Sequence, residues 1–269
     1  MAELQRHEVA GKGRHYLHPD TDHEMPSVTN VLGVISKPAL IPWAAKVERE
    51  LCVETANIVY VSLNGDAVDA PEFRKRLDLA LPKKKAHKIV SQAAINVGNE
   101  AHDFIEWRIL GELALERGEE PKTSEPARWS VAAFEDWRRK VNLKPTHTEK
   151  RLYSDELDAA GSADVICCEL DVYVLAPKPR RVAALGDWKT GRALYPEHDV
   201  QTATYRHMAI ERGLLDEKAW GLVLRLPKTT KDPEFEARLI PPSRCRELVD
   251  VFRAARRIWQ WRHADKETR

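Results

Sequence analysis

The chain has 269 residues, 43% of them hydrophobic and 32% charged, with a formal net charge of +1. This composition suits a folded globular protein and excludes collagenous, low-complexity and strongly polyionic chains. No apolar run approaches the ~20 residues needed to cross a bilayer, and the opening MAELQRHEVAGKGRH lacks the apolar core of a secretion signal.

Residues 1–25 are polar, and Gly11-Lys12-Gly13 reads as a tight turn between two short strands. Pro26-Ser27 opens a short helix from Val28 to Ile35, with Ser27 as its N-cap. Lys37-Pro38 ends that helix, and Pro42 begins another through Trp43, Val47 and Leu51. Asn64-Gly65-Asp66 marks a loop, and Pro71 starts a short charged helix. Lys83, Lys84, Lys85 and Lys88 precede a long helix carrying Ile89, Ala93, Val97, Ala101, Ile105 and Ile109. The lysines are either a solvated helix start or a patch for nucleic-acid phosphates, which lysine contacts regardless of base sequence. Gly98, one turn before His102, leaves room for another backbone or a DNA strand. A charged loop from Glu112 to Thr123 leads to Ser124-Glu125-Pro126, the predicted cap of a helix through Trp129, Phe134 and Trp137.

Thr146 to Tyr153 reads as the first strand of a sheet, turning at Asp158-Ala159-Ala160-Gly161. Asp164 then heads the apolar run Val165-Ile166-Cys167-Cys168, and a second run, Val182 to Leu185, ends in Asp187-Trp188-Lys189. Pro177-Lys178-Pro179 is the expected hairpin loop between them. Side chains alternate on a strand, so Asp187 and Lys189 share a face and Trp188 takes the other. Gln201 and Tyr205, four apart on a predicted helix, also share a face. Ala219 to Leu226 and Glu234 to Leu239 read as two further strands, and Pro242 opens a final amphipathic helix. Its Arg253, Arg256, Arg257 and Arg262 form either a solvated face or a DNA-facing stripe.

Asp164, Asp187 and Lys189 at strand ends are the equipment for metal-assisted attack of water on a phosphodiester. Two decoys fall away. Lys189-Thr190-Gly191 has no S-x-x-K partner motif, and Gly11-Lys12-Gly13 lacks the spacing of a P-loop. Of the four cysteines, Cys167 and Cys168 read as buried strand residues; with no C-x-x-C, zinc is not expected, and a reducing cytoplasm fits. His147, His198 and His207 have no matched partners and read as structural or solvent-exposed.

Gly98-x-x-x-His102, Gly161-x-x-Asp164, Asp187-x-Lys189 and Gln201-x-x-x-Tyr205, in that order, resemble the PD-(D/E)XK nuclease superfamily. More narrowly they are similar to its RecB-type branch, which includes CRISPR-associated and phage recombination exonucleases. The resemblance covers roughly residues 95–225, with a weaker echo in Ser27-Val28-Thr29. It implies an α/β fold: a restriction-endonuclease-like core whose mixed central β-sheet is flanked by helices, plus an N-terminal helical lobe. One domain over 1–269 is expected, with a mainly helical part (1–143), a core sheet (144–240) and a C-terminal helix (241–269).

The implied activity is metal-dependent DNA exonuclease action in phage-like recombination, repair or end processing. An endonuclease of the same superfamily and an inactive DNA-binding module are the alternatives. The implied catalytic set is Asp164, Asp187, Lys189, Gln201 and Tyr205. Mg²⁺ or Mn²⁺ would be held by His102, Asp164, Asp187 and the Trp188 backbone carbonyl. Glu149 is an additional acid of that site or a surface glutamate. Lys83, Lys84, Lys85, Arg253, Arg256 and Arg257 are the candidate DNA contacts. DNA with free ends is the expected partner, and a recombination protein a further one. No membrane partner, ATP or iron–sulfur cluster is expected, since Cys245 stands alone in the C-terminal part. The setting implied is the cytoplasm of a bacterium or phage-infected cell.

Overall fold

The structure is a computed structural model that describes residues 4–10, 12–35, 37–172, 179–232 and 234–264. The chain divides into two compact units, one of Met1–Ile35 with Val97–Arg269 and one of Ser36–Asn96. The smaller holds α2 (Leu40–Ser62), α3 (Ala70–Ala80) and the first part of α4 (Ala86–Glu112). Within it, the Glu48 carboxylate accepts the first N–H groups of α4, from Ala86 and His87, where free donors and the helix dipole favour an anion. Helix α2 begins two residues before Pro42, which a first turn tolerates because its N–H groups have no intrahelical partner.

The larger unit opens with a small antiparallel sheet, β1 (Gln5–Val9), β2 (Gly13–Leu17) and β3 (Glu24–Pro26). Gly11 of the predicted turn lies outside the described residues. Ser27 caps α1 (Val28–Leu32), accepting the Asn30 N–H at 3.2 Å. After α4 comes α5 (Glu125–Lys140), then β4 (Lys144–Ser154), β5 (Ala159–Val172), β6 (Arg180–Thr190), α6 (Pro196–Glu211), β7 (Trp220–Leu226), β8 (Glu236–Ile240) and α7 (Pro242–Ala264). Ser124 occupies the cap position of α5, but its side chain makes no capping bond; its own N–H donates to Glu100 instead. The predicted Pro177–Pro179 loop falls largely outside the described residues.

Strands β4 to β8 form a mixed five-stranded sheet in sequence order. All neighbours are antiparallel except β6 and β7, which run parallel. A parallel pair needs a crossover, and α6 supplies it. Apolar residues cover both faces of the sheet. One face packs Leu152, Ile166, Leu185 and Val223 against α1, α6 and α7. The other packs Val165, Ala184, Trp188 and Leu222 against Ile105 and Ile109 of α4 and Phe134 and Trp137 of α5. The fold is therefore α/β, a mixed sheet between helical layers.

The turn between β4 and β5 is strongly acidic, Asp155-Glu156-Leu157-Asp158. His18 and Arg212 bind Asp155; His207 and Arg253 bind Glu156; His23 and Arg256 bind Asp158. Arg256 is 8% exposed and also donates to the Asp158 backbone carbonyl at 3.0 Å. Arg256 and Arg253 thus tie α7 to this turn. Arg257 and Arg262 are exposed, as are Lys83, Lys84 and Lys85 in the smaller unit.

Candidate active site

The site forms where two strands part. The β5–β6 ladder ends at Val165–Gly186, while β6 continues beside β7 to Thr190. The Trp188 N–H is taken by the Asp164 carboxylate at 2.5 Å. A carboxylate here does the work of a strand carbonyl, which fixes Asp164 at the fork. On a strand, N–H and C=O of one residue share an edge, so the Trp188 carbonyl lies on the Asp164 side. The Trp188 ring packs edge-on against Phe134 and Trp137, 5.1 and 5.7 Å between centroids, anchoring the segment from behind.

On the neighbouring strand the backbone is irregular at the matching level. Glu149 has φ +44°, a left-handed conformation inside β4, which costs a non-glycine residue on the order of 1–3 kcal/mol. That conformation places its carboxylate within 4.0 Å of His102 Nδ1, which also lies 3.5 Å from Asp164 Oδ1. Ser162 donates to Glu149 at 3.0 Å. Ligand atoms of His102, Glu149 and Asp164 all lie within 4.8 Å of one another. Helix α4 can bring His102 this close because Gly98 sits against the end of β6; a Cβ there would be 2.9 Å from Thr190 Oγ1.

A second group adjoins the first. Asp187, 1% exposed, has Lys189 Nζ 2.5 Å from Oδ2 and the Gln201 amide 3.2 Å from Oδ1. Gln201 reaches the Tyr205 hydroxyl at 3.4 Å. The Tyr205 ring lies directly over Gly161, where an added Cβ would be 2.4 Å from Cε1. So the helix pair Gln201 and Tyr205 sits over the strand carboxylate, and Gly161 makes room for it.

Three carboxyl groups, an imidazole and an ammonium are crowded together and perturb one another. Burial, reinforced by the Asp164 charge, pushes the Glu149 carboxyl up to about 8. Burial pushes Asp187 up to about 6 against the pull of Lys189. Burial disfavours the His102 imidazolium, yet Asp164 and Glu149 outweigh it and hold the group up at about 9. Burial would raise Asp164, but His102, Lys189 and the Trp188 N–H keep it below the usual carboxylate range. An imidazole and two carboxyl groups gathered this closely fit a divalent cation, which would take the place of the protons on His102 and Glu149. His102, Glu149 and Asp164 can hold one.

All the resemblance-based site residues except the candidate DNA contacts therefore fall in these two adjoining groups. Arg253 and Arg256 are bound to the acidic turn instead. Sequence reasoning did not single out Ser162 or Glu106. Glu106, one turn after His102 on α4, feels the charges of Asp164 and His102; its four-residue spacing from His102 was the available signal. Of the unmatched histidines, His198 accepts the Tyr195 N–H at the start of α6, and His207 faces Glu156 and Glu211.

No family model matches the sequence, and no curated protein matches it. Among solved structures the chain is similar to one named "Putative exonuclease" from Eubacterium rectale, at 14% identity and a TM-score of 0.38. The match covers 68% of this chain and 69% of that one. So loose an overlap carries no argument about activity.

Proposed function

We propose that this chain is a metal-dependent nuclease that hydrolyses DNA phosphodiester bonds, working as an exonuclease of the PD-(D/E)XK type on strands with free ends. The observation that carries the reading is the meeting of His102, Glu149 and Asp164 with the Asp187–Lys189 pair across the β5–β6 fork. A divalent ion, Mg²⁺ or Mn²⁺, would supply water of lowered pKa and neutralise charge on the phosphoryl oxygens. His102, Glu149 and Asp164 would hold that ion, and the nitrogen ligand would favour Mn²⁺ over Mg²⁺. The family resemblance adds Asp187 and the Trp188 carbonyl as further ligands of that ion. Lys189, held protonated because Asp187 and Asp164 outweigh the effect of burial, orients the attacking water and offsets charge on the phosphate. Gln201 and Tyr205 hold Asp187 in place.

The test uses linear and covalently closed DNA, single- and double-stranded, with Mg²⁺, Mn²⁺ or chelator. Cleavage of linear DNA only, abolished by chelator and by Lys189→Met or Asp187→Ala, is the expected result. Cutting of closed circles would make the protein an endonuclease. Metal-independent binding without cleavage would make it a binding module, and equal turnover by the variants would remove the proposed site.

A further inference from the structure

Beside the acidic cluster lies a cavity of about 610 Å³. Its lining includes Glu106, Glu149 and Ser162 of the candidate site, together with Arg6 of β1, Tyr16 of β2 and Lys150 of β4. Tyr16 is only 2% exposed, yet it contributes to the wall of this cavity. A tyrosine in such a wall buries its ring and offers its hydroxyl as a donor to an acceptor in the cavity.

The cations around it point the same way. Arg6 is the cross-strand partner of Tyr16. Arg6 and Lys150 are both exposed and have no carboxylate partner among the described residues. Two other arginines of the lining are engaged, Arg212 by Asp155 and Glu211 and Arg151 by the Leu4 carbonyl. Asp20 also lines the cavity, so its charge is mixed. Still, Arg6, Tyr16 and Lys150 belong to strands β1, β2 and β4 and line one cavity with Glu149.

We propose that this cavity is a second phosphate subsite, taking a backbone phosphate next to the scissile one on a single DNA strand. Arg6 and Lys150 supply the charge, and the Tyr16 hydroxyl donates a hydrogen bond. The identity of the polymer rests on the nuclease reading; the anion site itself rests on the cavity. Its volume lies within the roughly 300–1,000 Å³ of small-ligand sites. That admits a nucleotide unit and keeps out a double helix, so the strand must be single or frayed where it enters.

The experiment measures binding of a short fluorescein-labelled single-stranded oligonucleotide in chelator, across a salt series, beside cleavage kinetics in Mn²⁺. Each phosphate contact made by a cation contributes about 0.7 to the salt slope for a single strand. Arg6→Ala should therefore weaken binding about tenfold and lower that slope by about 0.7, and Arg6→Ala with Lys150→Ala by more. Tyr16→Phe keeps the buried ring, so its melting temperature should hold; it should weaken binding several-fold with the slope unchanged, because a neutral donor is lost. In cleavage, KM should rise more than kcat falls. A wild type that binds with this dependence but never cleaves leaves the subsite standing and ends the nuclease reading. A wild type that cleaves, with variants of unchanged affinity, slope and KM, ends the subsite alone. Failure of the wild type to bind DNA ends both.

Discussion

Gly161 offers a test of the site's geometry in which the sign of the effect changes with its neighbour. Its backbone lies in β5, where alanine is intrinsically better than glycine by about 0.5–1 kcal/mol. Yet the new methyl would stand 2.4 Å from Tyr205 Cε1 and 2.8 Å from Cζ and the hydroxyl. The ring is 3% exposed and bonded to Gln201, so it has little room to retreat. Overpacking of this kind costs about 1–3 kcal/mol. Gly161→Ala should therefore destabilise the wild type by a net of up to ~2.5 kcal/mol, about 1 kcal/mol at the middle of the two ranges. In a Tyr205→Leu background the ring atoms are gone, and the same change should become neutral or stabilising by up to about 1 kcal/mol. Urea unfolding of the four proteins, read as a double-mutant cycle, should give a coupling of about 1–3 kcal/mol. Tyr205→Phe retains Cε1 and Cζ and should retain most of it. An equal cost for Gly161→Ala in both backgrounds would refute the account of Gly161 as the space under the ring.

His102→Ala should raise the half-saturating Mn²⁺ concentration for cleavage while excess metal restores part of the rate; an unchanged metal titration would remove His102 from the ion site. Arg256→Ala should destabilise the fold by about 1.5–3 kcal/mol, the value of hydrogen bonds to a charged group, yet leave DNA affinity unchanged; a loss of affinity without loss of stability would return α7 to the DNA-facing reading. In chelator the folded protein should lose stability as pH rises. The His102 value is raised from 6.5 to about 9, so its contribution is present below 6.5 and lost through 9. The Glu149 carboxyl is raised from 4.5 to about 8, so ionising it disfavours the folded state over that interval. Melting temperatures in chelator that stay flat or climb between pH 6.5 and 9 would contradict both assignments.

Much of the larger unit was legible in the sequence. The alternation through Asp187-Trp188-Lys189 and the four-residue spacing of Gln201 and Tyr205 are local signals, and local geometry turned them into neighbours; the turn expected at Asp158–Gly161 instead occupies Asp155–Asp158, and Gly161 lies inside β5, where it makes room for the Tyr205 ring. The role of Glu149 was not, because it depends on a left-handed residue within a strand, and nothing in K-E-K distinguishes that from regular alternation. The arginines of α7 misled for a related reason. Their spacing shows a shared face, but what that face meets is Asp158, 98 residues earlier. Tyr16 and Arg6 likewise became notable only once the small sheet stood beside β4. Both expected caps, Ser27 and Ser124, stand at their helix starts, but only Ser27 caps with its side chain; the Ser124 N–H donates to Glu100 instead.

The fork between β5 and β6 also orders events in time. Strands β4, β5 and β6 are successive antiparallel neighbours, so Glu149, Asp164 and Asp187 are brought together by short-range chain closures. His102 reaches them from α4, across the whole of α5 and its flanking loops. Closing the longer segment costs more chain entropy and is the slower event. The expected order is that the carboxylates gather first and the imidazole joins them late. During refolding, secondary structure should return ahead of the ability to bind Mn²⁺ tightly, and the lag between the two signals measures the docking of a single helix.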